Sequence, residues 1–461
     1  MKSQHLEAKM RRLSVVETTA AASLFSRVKL VGLVLLLILA LAVHAQAASA
    51  KTISLDSVIE KTLANNFDLK IADVDTKIAN ADRKIARADL FPTLTGGYNT
   101  QYSRGLSGNQ GLNQVAVVGN TVLPGATGFQ HVYSLGANYT LFDGGAKMRT
   151  YLAAKKKMQA TAAGKLVTAR DLKLAVTQLY TDALMDYEGV IALRQSQKLH
   201  HQLFAIKREL EKSRTISKIE LAEVALQMAT VDSNLERLQE NLSERLNDLG
   251  NYTQERYDIN DIELEELPQA TEAAPKFTAD KLPDIQRFNK QIESQKEELR
   301  VIGLQRLPQV GFYTNMIFYG GDQNSWGQAL MNTGARQVYG GLNISLPLFD
   351  GFKNSAMREK KKAEIRRTEL ERDKAISTLK FQHEKYTTAA NQYSVELNIT
   401  AELVNTSKNK EAMIQKLNAH QLVDLSKVVS EQINVIDQKL ALQKARSLRL
   451  SSLRKAAIIA M

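Results

Sequence analysis

The sequence predicts a mainly α-helical fold with membrane-type β-strands, built as two copies of one structural repeat. Three observations carry this prediction. Two very long proline-free stretches have helical composition. Four stretches of about ten residues alternate apolar with small polar side chains, the length and period of a membrane-spanning strand. The tetrapeptide Leu-Phe-Asp-Gly occurs twice, at Leu141–Gly144 and Leu348–Gly351.

Composition sets the frame. With 461 residues, 44% hydrophobic and 24% charged, the chain is neither disordered nor a polytopic helical membrane protein. Its net charge of +12 falls to about +8 once the four net charges of residues 1–50 are set aside, and the excess is spread along helical faces. That pattern gives nucleic-acid binding little support. Cysteine is absent, so an exported chain of this kind must stabilise itself by burial or oligomerisation, and its mature N-terminus carries no lipid.

Residues 1–50 read as a signal peptide. Arg11, Arg12, Arg27 and Lys29 precede a short apolar run, Leu30 to Val43, and Ala45-Gln46-Ala47 and Ala48-Ser49-Ala50 supply cleavage sites near 47 or 50. An uncleaved anchor is the competing reading, and the two A-x-A sites favour cleavage.

The first repeat spans residues 51–250. Leu55, Ile59, Leu63, Leu69, Ile71, Ile78 and Ile85 predict one helix from Thr52 to Leu90, ended by Pro92. A strand follows with Leu94, Gly96, Tyr98, Thr100 and Tyr102 on one face. A Gly/Asn/Gln-rich loop covers 104–130, and a second strand runs from His131 to Phe142. From Gly144 to about Ser213 the composition is helical for ~105 Å. The helix from about Ile219 to Leu249 carries a coiled-coil seam of Leu221, Val224, Met228, Val231, Leu235, Leu238 and Leu242, interrupted at Arg245. Residues 251–280 are a linker. The same order then returns over 281–461: a helix to about Gln305, strands at Val310–Tyr319 and Val338–Leu348, a helix from Lys353 to about Leu417, and a last helix from Gln421.

At each repeated tetrapeptide the roles are legible. Phe142 and Phe349 end a strand, Asp143 and Asp350 cap the following helix, and Gly144 and Gly351 permit the sharp redirection. Tyr102, Tyr133, Tyr139 and Tyr339 are expected near strand ends, as an interfacial girdle.

Four strands cannot close a membrane barrel, and an open edge in lipid leaves backbone groups unsatisfied. Several copies are therefore required. The small, wettable lumen-facing set favours a barrel of twelve strands over eight, because eight leave no aqueous interior. Helices ~100 Å long exceed a bilayer ~30 Å thick, so they must project into water as a helical tube.

Over nearly the whole mature length the chain resembles the TolC family of outer-membrane efflux channels. The matching residues are Ile53-Ser54-Leu55-Asp56, Phe91-Pro92-Thr93-Leu94, Leu307-Pro308-Gln309-Val310 and the duplicated Leu-Phe-Asp-Gly, with Pro347 before its second copy. The resemblance implies a homotrimer with a twelve-stranded β-barrel continued by a periplasmic α-helical barrel. It implies an exit duct of a tripartite efflux or type I secretion system, set in outer-membrane lipid, with a periplasmic adaptor (a membrane fusion protein) and an inner-membrane pump as partners. It implies no cofactor and no metal.

The resemblance also marks two sets of site residues. Adaptor-contacting hairpin tips fall on Arg214, Thr215, Ile216 and Ser217 and on Asn418, His420 and Gln421. Arg214 and Asn418 stand where the family usually has glycine, and Ser217 and Glu220-Leu221 keep the rest of the first motif. A periplasmic aperture falls on Asp424, with Lys427 where a second Asp can occur, and ordinary solvated helix charges are the competing reading there. The alternative function is a periplasmic coiled-coil adaptor or structural protein without a pore, against which the duplicated hairpins and exposed strands argue. An enzyme is disfavoured: His200 and His201 are helix neighbours that point apart, and no nucleophile or metal motif occurs.

Overall fold

The computed structural model describes residues 51–104, 116–118, 121–123, 128–268 and 275–461. The expected signal peptide lies outside the described residues, as do most of the 104–130 loop and the centre of the linker. The chain runs β1 (Lys51–Ile53), α1 (Leu55–Asn65), α2 (Phe67–Ala88), β2 (Thr93–Ser103), β3 (Ala116–Val118), β4 (Thr121–Leu123) and β5 (Gly128–Phe142). Then come α3 (Ala146–Lys212), α4 (Lys218–Thr253), β6 (Ile262–Leu264), α5 (Pro283–Leu304) and β7 (Gln309–Asp322). It ends with α6 (Trp326–Met331), β8 (Ala335–Ser345), α7 (Lys353–Ala419) and α8 (Leu425–Ala460).

The duplication is metrical. α3 and α7 have 67 residues each, about 100 Å, and α4 and α8 have 36 each. The expected single helix from Thr52 to Leu90 is instead a strand and two helices. Asn66 leaves helical conformation with ψ 135° and caps α2, its side chain accepting from Asp68 N at 2.8 Å.

The four long strands form one antiparallel sheet in the order β2-β5-β7-β8. Register aligns Leu94, Tyr98, Leu135, Phe312, Met316, Val338 and Leu342 on one face. The other face carries the small polar Thr95, Ser134, Asn138, Asn315 and Asn343 that the sequence implied, but also Val132, Tyr313, Ile317, Tyr319 and Tyr339, with Val132 and Ile317 buried together. The girdle expectation is partly corrected. Tyr133 and Tyr339 lie within their strands, and Tyr339 sits on the polar face, its hydroxyl accepting from Asn315 Nδ2 at 2.9 Å. Among the described residues no helix is long and apolar enough to cross a membrane.

The helices form a single layer. Next to the sheet the order is α2-α3-α5-α7; farther away it is α4-α3-α8-α7, so α3 and α7 run the full length of both halves. Between the halves lies the largest core, where Leu55, Val58, Val176, Leu184, Leu242 and Leu249 pack together. There β1 pairs in parallel with β6, a contact the sequence did not announce. Tyr180, fully buried, donates its hydroxyl near the carbonyls of both Ile53 and Glu265, at 2.7 Å each. Of the α4 seam, Val224, Leu235 and Leu242 are buried and Leu221, Met228, Val231 and Leu238 half-buried, and the break at Arg245 has a cause. Leu246 continues the seam, while Arg245 turns to Asp186 at 2.5 Å and Asp182 at 3.4 Å on α3.

Candidate functional site

Two pairs of turns define the working ends of the layer: the strand-to-helix anchors at one end and the hairpin tips at the other. At the first anchor, Asp143 accepts from Gly145 N and Lys147 N, both at 2.8 Å. These are free N–H groups of the first turn of α3, which a carboxylate satisfies while complementing the helix dipole. Gly144 (φ 68°) and Gly145 (φ 84°) take the left-handed conformation that turns the chain. At the second anchor Asp350 accepts from Asn354 N at 2.9 Å, and Gly351 has φ 63°. Phe352 (φ 65°) stands where the first copy has Gly145. Phe142 and Phe349 are exposed in the single chain, 50% and 77%.

The tips also repeat. α3 ends in a turn in which Thr215 N reaches Leu210 O at 2.8 Å and Arg214 adopts φ 57°. In the second tip Leu422 N reaches Leu417 O at 3.0 Å, and Gln421 adopts φ 57°. The expectation that Asn418 takes the glycine-like place is therefore corrected. Asn418 is still inside α7, and its Nδ2 donates to Val423 O at 2.9 Å, tying the turn together. His420 is the C-cap, and Gln421 is the counterpart of Arg214.

The same alignment of the two tips places Asp424. It is the counterpart of Ser217: Ser217 caps α4 by accepting from Glu220 N at 3.2 Å, and Asp424 caps α8 by accepting from Lys427 N at 3.0 Å. Lys427 is thus the counterpart of Glu220. The Ser426 hydroxyl also donates to the Asp424 carboxylate. That bond, with the Lys427 backbone N–H and the nearby Lys207, outweighs partial burial and holds the carboxyl below its ordinary value. Lys427 Nζ lies 3.8 Å from Glu431, which is nearly buried and also pairs with Lys410 at 2.8 Å. Leu203, Val224 and Val429 pack the two tips against each other through α3. Thr215 and Ser217 are exposed and Ile216 is half-buried.

One cluster went unread in the sequence. His131, on the apolar face of β5, is fully buried. Its Nδ1 lies 2.8 Å from the Tyr98 hydroxyl and its Nε2 3.1 Å from Trp326 O, fastening α6 back onto the strands. Only the Ser325 cap before Trp326 signalled a helix in that loop.

The outer membrane efflux protein family matches residues 58–253 and 278–454, most of the chain. No curated protein matches it. Among solved structures, the outer membrane protein VceC from Vibrio cholerae aligns with TM-score 0.72 at 16% identity, covering 88% of this chain and 95% of that one. The CmeC outer membrane channel of Campylobacter jejuni aligns with TM-score 0.74 at 16% identity, covering 88% and 85%. The open state of the MtrE outer membrane channel of Neisseria gonorrhoeae aligns with TM-score 0.68 at 16% identity, covering 88% and 88%. Identities this low speak for the fold; the family match speaks for membership. The chain belongs to the outer membrane efflux protein family, and is an outer-membrane channel protein whose helical layer extends into the periplasm.

Proposed function

We propose that three copies close into one passive exit duct, a twelve-stranded barrel continued by a twelve-helix tube, through which an efflux or type I secretion system discharges its cargo. One observation carries the reading. Large apolar side chains left exposed in the single chain concentrate on the elements at the layer's two edges. On α2 they are Phe67, Ile71, Val74, Ile78 and Ile85; on α4, Ile219 and Leu226; on α7, Leu370, Phe381, Val395, Ile399 and Leu403. α5, in the middle of the layer, contributes none of the large exposed apolar residues. β2 and β8 lie at the two edges of the sheet, each paired on one side only. The inner helices α3 and α8 expose only Met148, Leu166, Ile191 and Leu425 over their whole length, so the exposed apolar surface is weighted to the two ends of the row, and a row of that kind is completed by lateral copies.

The division into a signal peptide (1–50), repeats (51–250, 281–461) and a linker (251–280) fits this duct. The tips, Arg214 to Ser217 and Asn418 to Gln421, would meet a periplasmic adaptor bridging to an inner-membrane pump. Asp424 and Lys427 would stand at the periplasmic aperture. There the capping bonds of Asp424 make it a structural residue first, and a carboxylate in the lumen second. The test is reconstitution: purified protein should produce discrete conductance steps in planar bilayers and sediment as a trimer in detergent. A mature chain that is soluble without detergent and forms no pore at any concentration would favour the adaptor alternative.

A further inference from the structure

α2 repeats every seven residues. Asp68, Asp75, Asp82 and the adjoining Asp89 form one row, Ile71, Ile78 and Ile85 a second, and Lys70, Lys77 and Lys84 a third. Phe67, Ile71, Val74 and Ile78 are spaced four, three and four residues apart, Ile85 follows one heptad after Ile78, and all five are 51–63% exposed. That is a coiled-coil seam with no partner inside the chain. The Asp row flanks it, exposed, and among the described residues none of its four carboxylates forms an ion pair. At the opposite edge, α7 carries Lys353, Lys360, Arg367 and Lys374 with the same period, beside Ala356, Ala363 and Leu370. All four cations are exposed. Among the described residues, Lys360 (78%) and Arg367 (81%) have only intrahelical partners, at 4.0 Å and 2.9 Å.

The two rows fit. α2 climbs towards the sheet and α7 descends from it, so the edges of neighbouring copies meet antiparallel. Asp89 and Lys353 both stand at the sheet end. Each seven-residue step, about 10.5 Å on either helix, then brings Asp82 level with Lys360, Asp75 with Arg367 and Asp68 with Lys374. With a turn of about 100° per residue and opposite directions of travel, both rows fall on the same side of the layer. Asp75, Asp82 and Asp89 line successive clefts on that side, the last of them floored by Thr95, Ser134 and Asn315 of the polar strand face. The side is therefore the lumenal one.

We propose that these rows set the register between copies: the acidic row of one chain meets the basic row of the next, along the lumenal margin of an apolar seam. The proposal rests on the trimeric reading and adds which surfaces meet, in which alignment, and by which charges. A single exposed pair contributes little, but a ladder of four at each interface penalises every register shifted by less than a full heptad. A full-heptad slip would leave one acid and one base unmatched and would displace the strands.

The native chain has no cysteine, so engineered pairs report cleanly. Asp82→Cys combined with Lys360→Cys should give inter-chain disulfides on mild oxidation, and Asp82→Cys combined with Lys374→Cys should not. Asp82→Lys should lower the trimer fraction in detergent about tenfold at low ionic strength, less at high salt, and adding Lys360→Asp should restore it. Equal disulfide yield in the offset pair, or a charge-reversed variant as stable as the native trimer, would overturn the register. An unsubstituted protein that sediments as a monomer would overturn the trimeric reading instead.

Discussion

Glu188 stands on α3 beside Gly189, with one carboxylate oxygen buried and without a hydrogen bond. Burial first, then the charge of Glu266, raises its pKa from 4.5 to about 7, against the pull of Arg446. A carboxyl whose folded pKa lies above its unfolded one stabilises the fold fully below about pH 4.5, and that contribution is lost as pH rises through about 7. Glu188→Gln should therefore leave stability at acid pH nearly unchanged and raise it above neutrality by about 1–2 kcal/mol, after allowing for solvent screening of a partly exposed group. Thermal unfolding at the two pH values measures this; equal shifts at both would refute the assignment. The anchor glycines offer a second comparison. A Cβ on Gly144 would come within 2.6 Å of Leu307 Cδ1, whereas at Gly351 nothing lies within 4 Å. Both positions have positive φ, so Gly351→Ala should cost about 1 kcal/mol in strain, and Gly144→Ala more, since Leu307 must also move. Melting temperatures of the two variants should fall in that order.

The hairpin tips show where local chemistry decides an element's end. Arg214 and Gln421 hold a left-handed conformation that disfavours a Cβ. Arg214→Gly and Gln421→Gly should each stabilise their tip by about 0.5–1 kcal/mol, read as slower amide exchange in the last turns of α3 and α7. Asn418→Gly should do the reverse, since it puts glycine inside α7 and removes the bond to Val423 O. The opposite signs separate this turn from the one that spacing alone suggested. Asn418 and Gln421 stand one helical turn apart in a polar run, and no apolar pattern distinguishes them, so the sequence could not set that register. The first anchor was legible because strand end, Asp cap and glycine are local signals around Asp143; at the second the Asp350 cap and Gly351 hold, but β8 stops at Ser345, so Phe349 does not end a strand as expected. The β1–β6 pairing was not, because three-residue strands some two hundred positions apart leave no periodicity. The helix break did leave a signal: Asn66 followed by Asp68 is a capping sequence inside an apolar series that otherwise reads as continuous.

Taken whole, the molecule is a single-layered wall with two unfinished edges, and a duct set in lipid requires both to be finished. A four-stranded sheet in lipid would leave one side of β2 and one of β8 without hydrogen-bond partners, at several kcal/mol per unsatisfied group. The helical layer would meanwhile leave the Ile71, Ile78 and Ile85 row in water. Both costs are removed by the same event, the lateral meeting of copies, so barrel closure and tube closure should be coupled. Ile78→Asp removes about 2 kcal/mol of apolar burial at each interface and places a carboxylate beside the Asp75 and Asp82 row. Because the change falls on every interface of a closed ring, the trimer should weaken by orders of magnitude while each chain keeps its helices. The variant should show near-native circular dichroism, sediment as a monomer in detergent, and give no conductance steps, although its strands are untouched. Full-size steps from a preparation that sediments only as monomer would mean that the sheet can close without the tube, and that the two halves of the wall assemble independently.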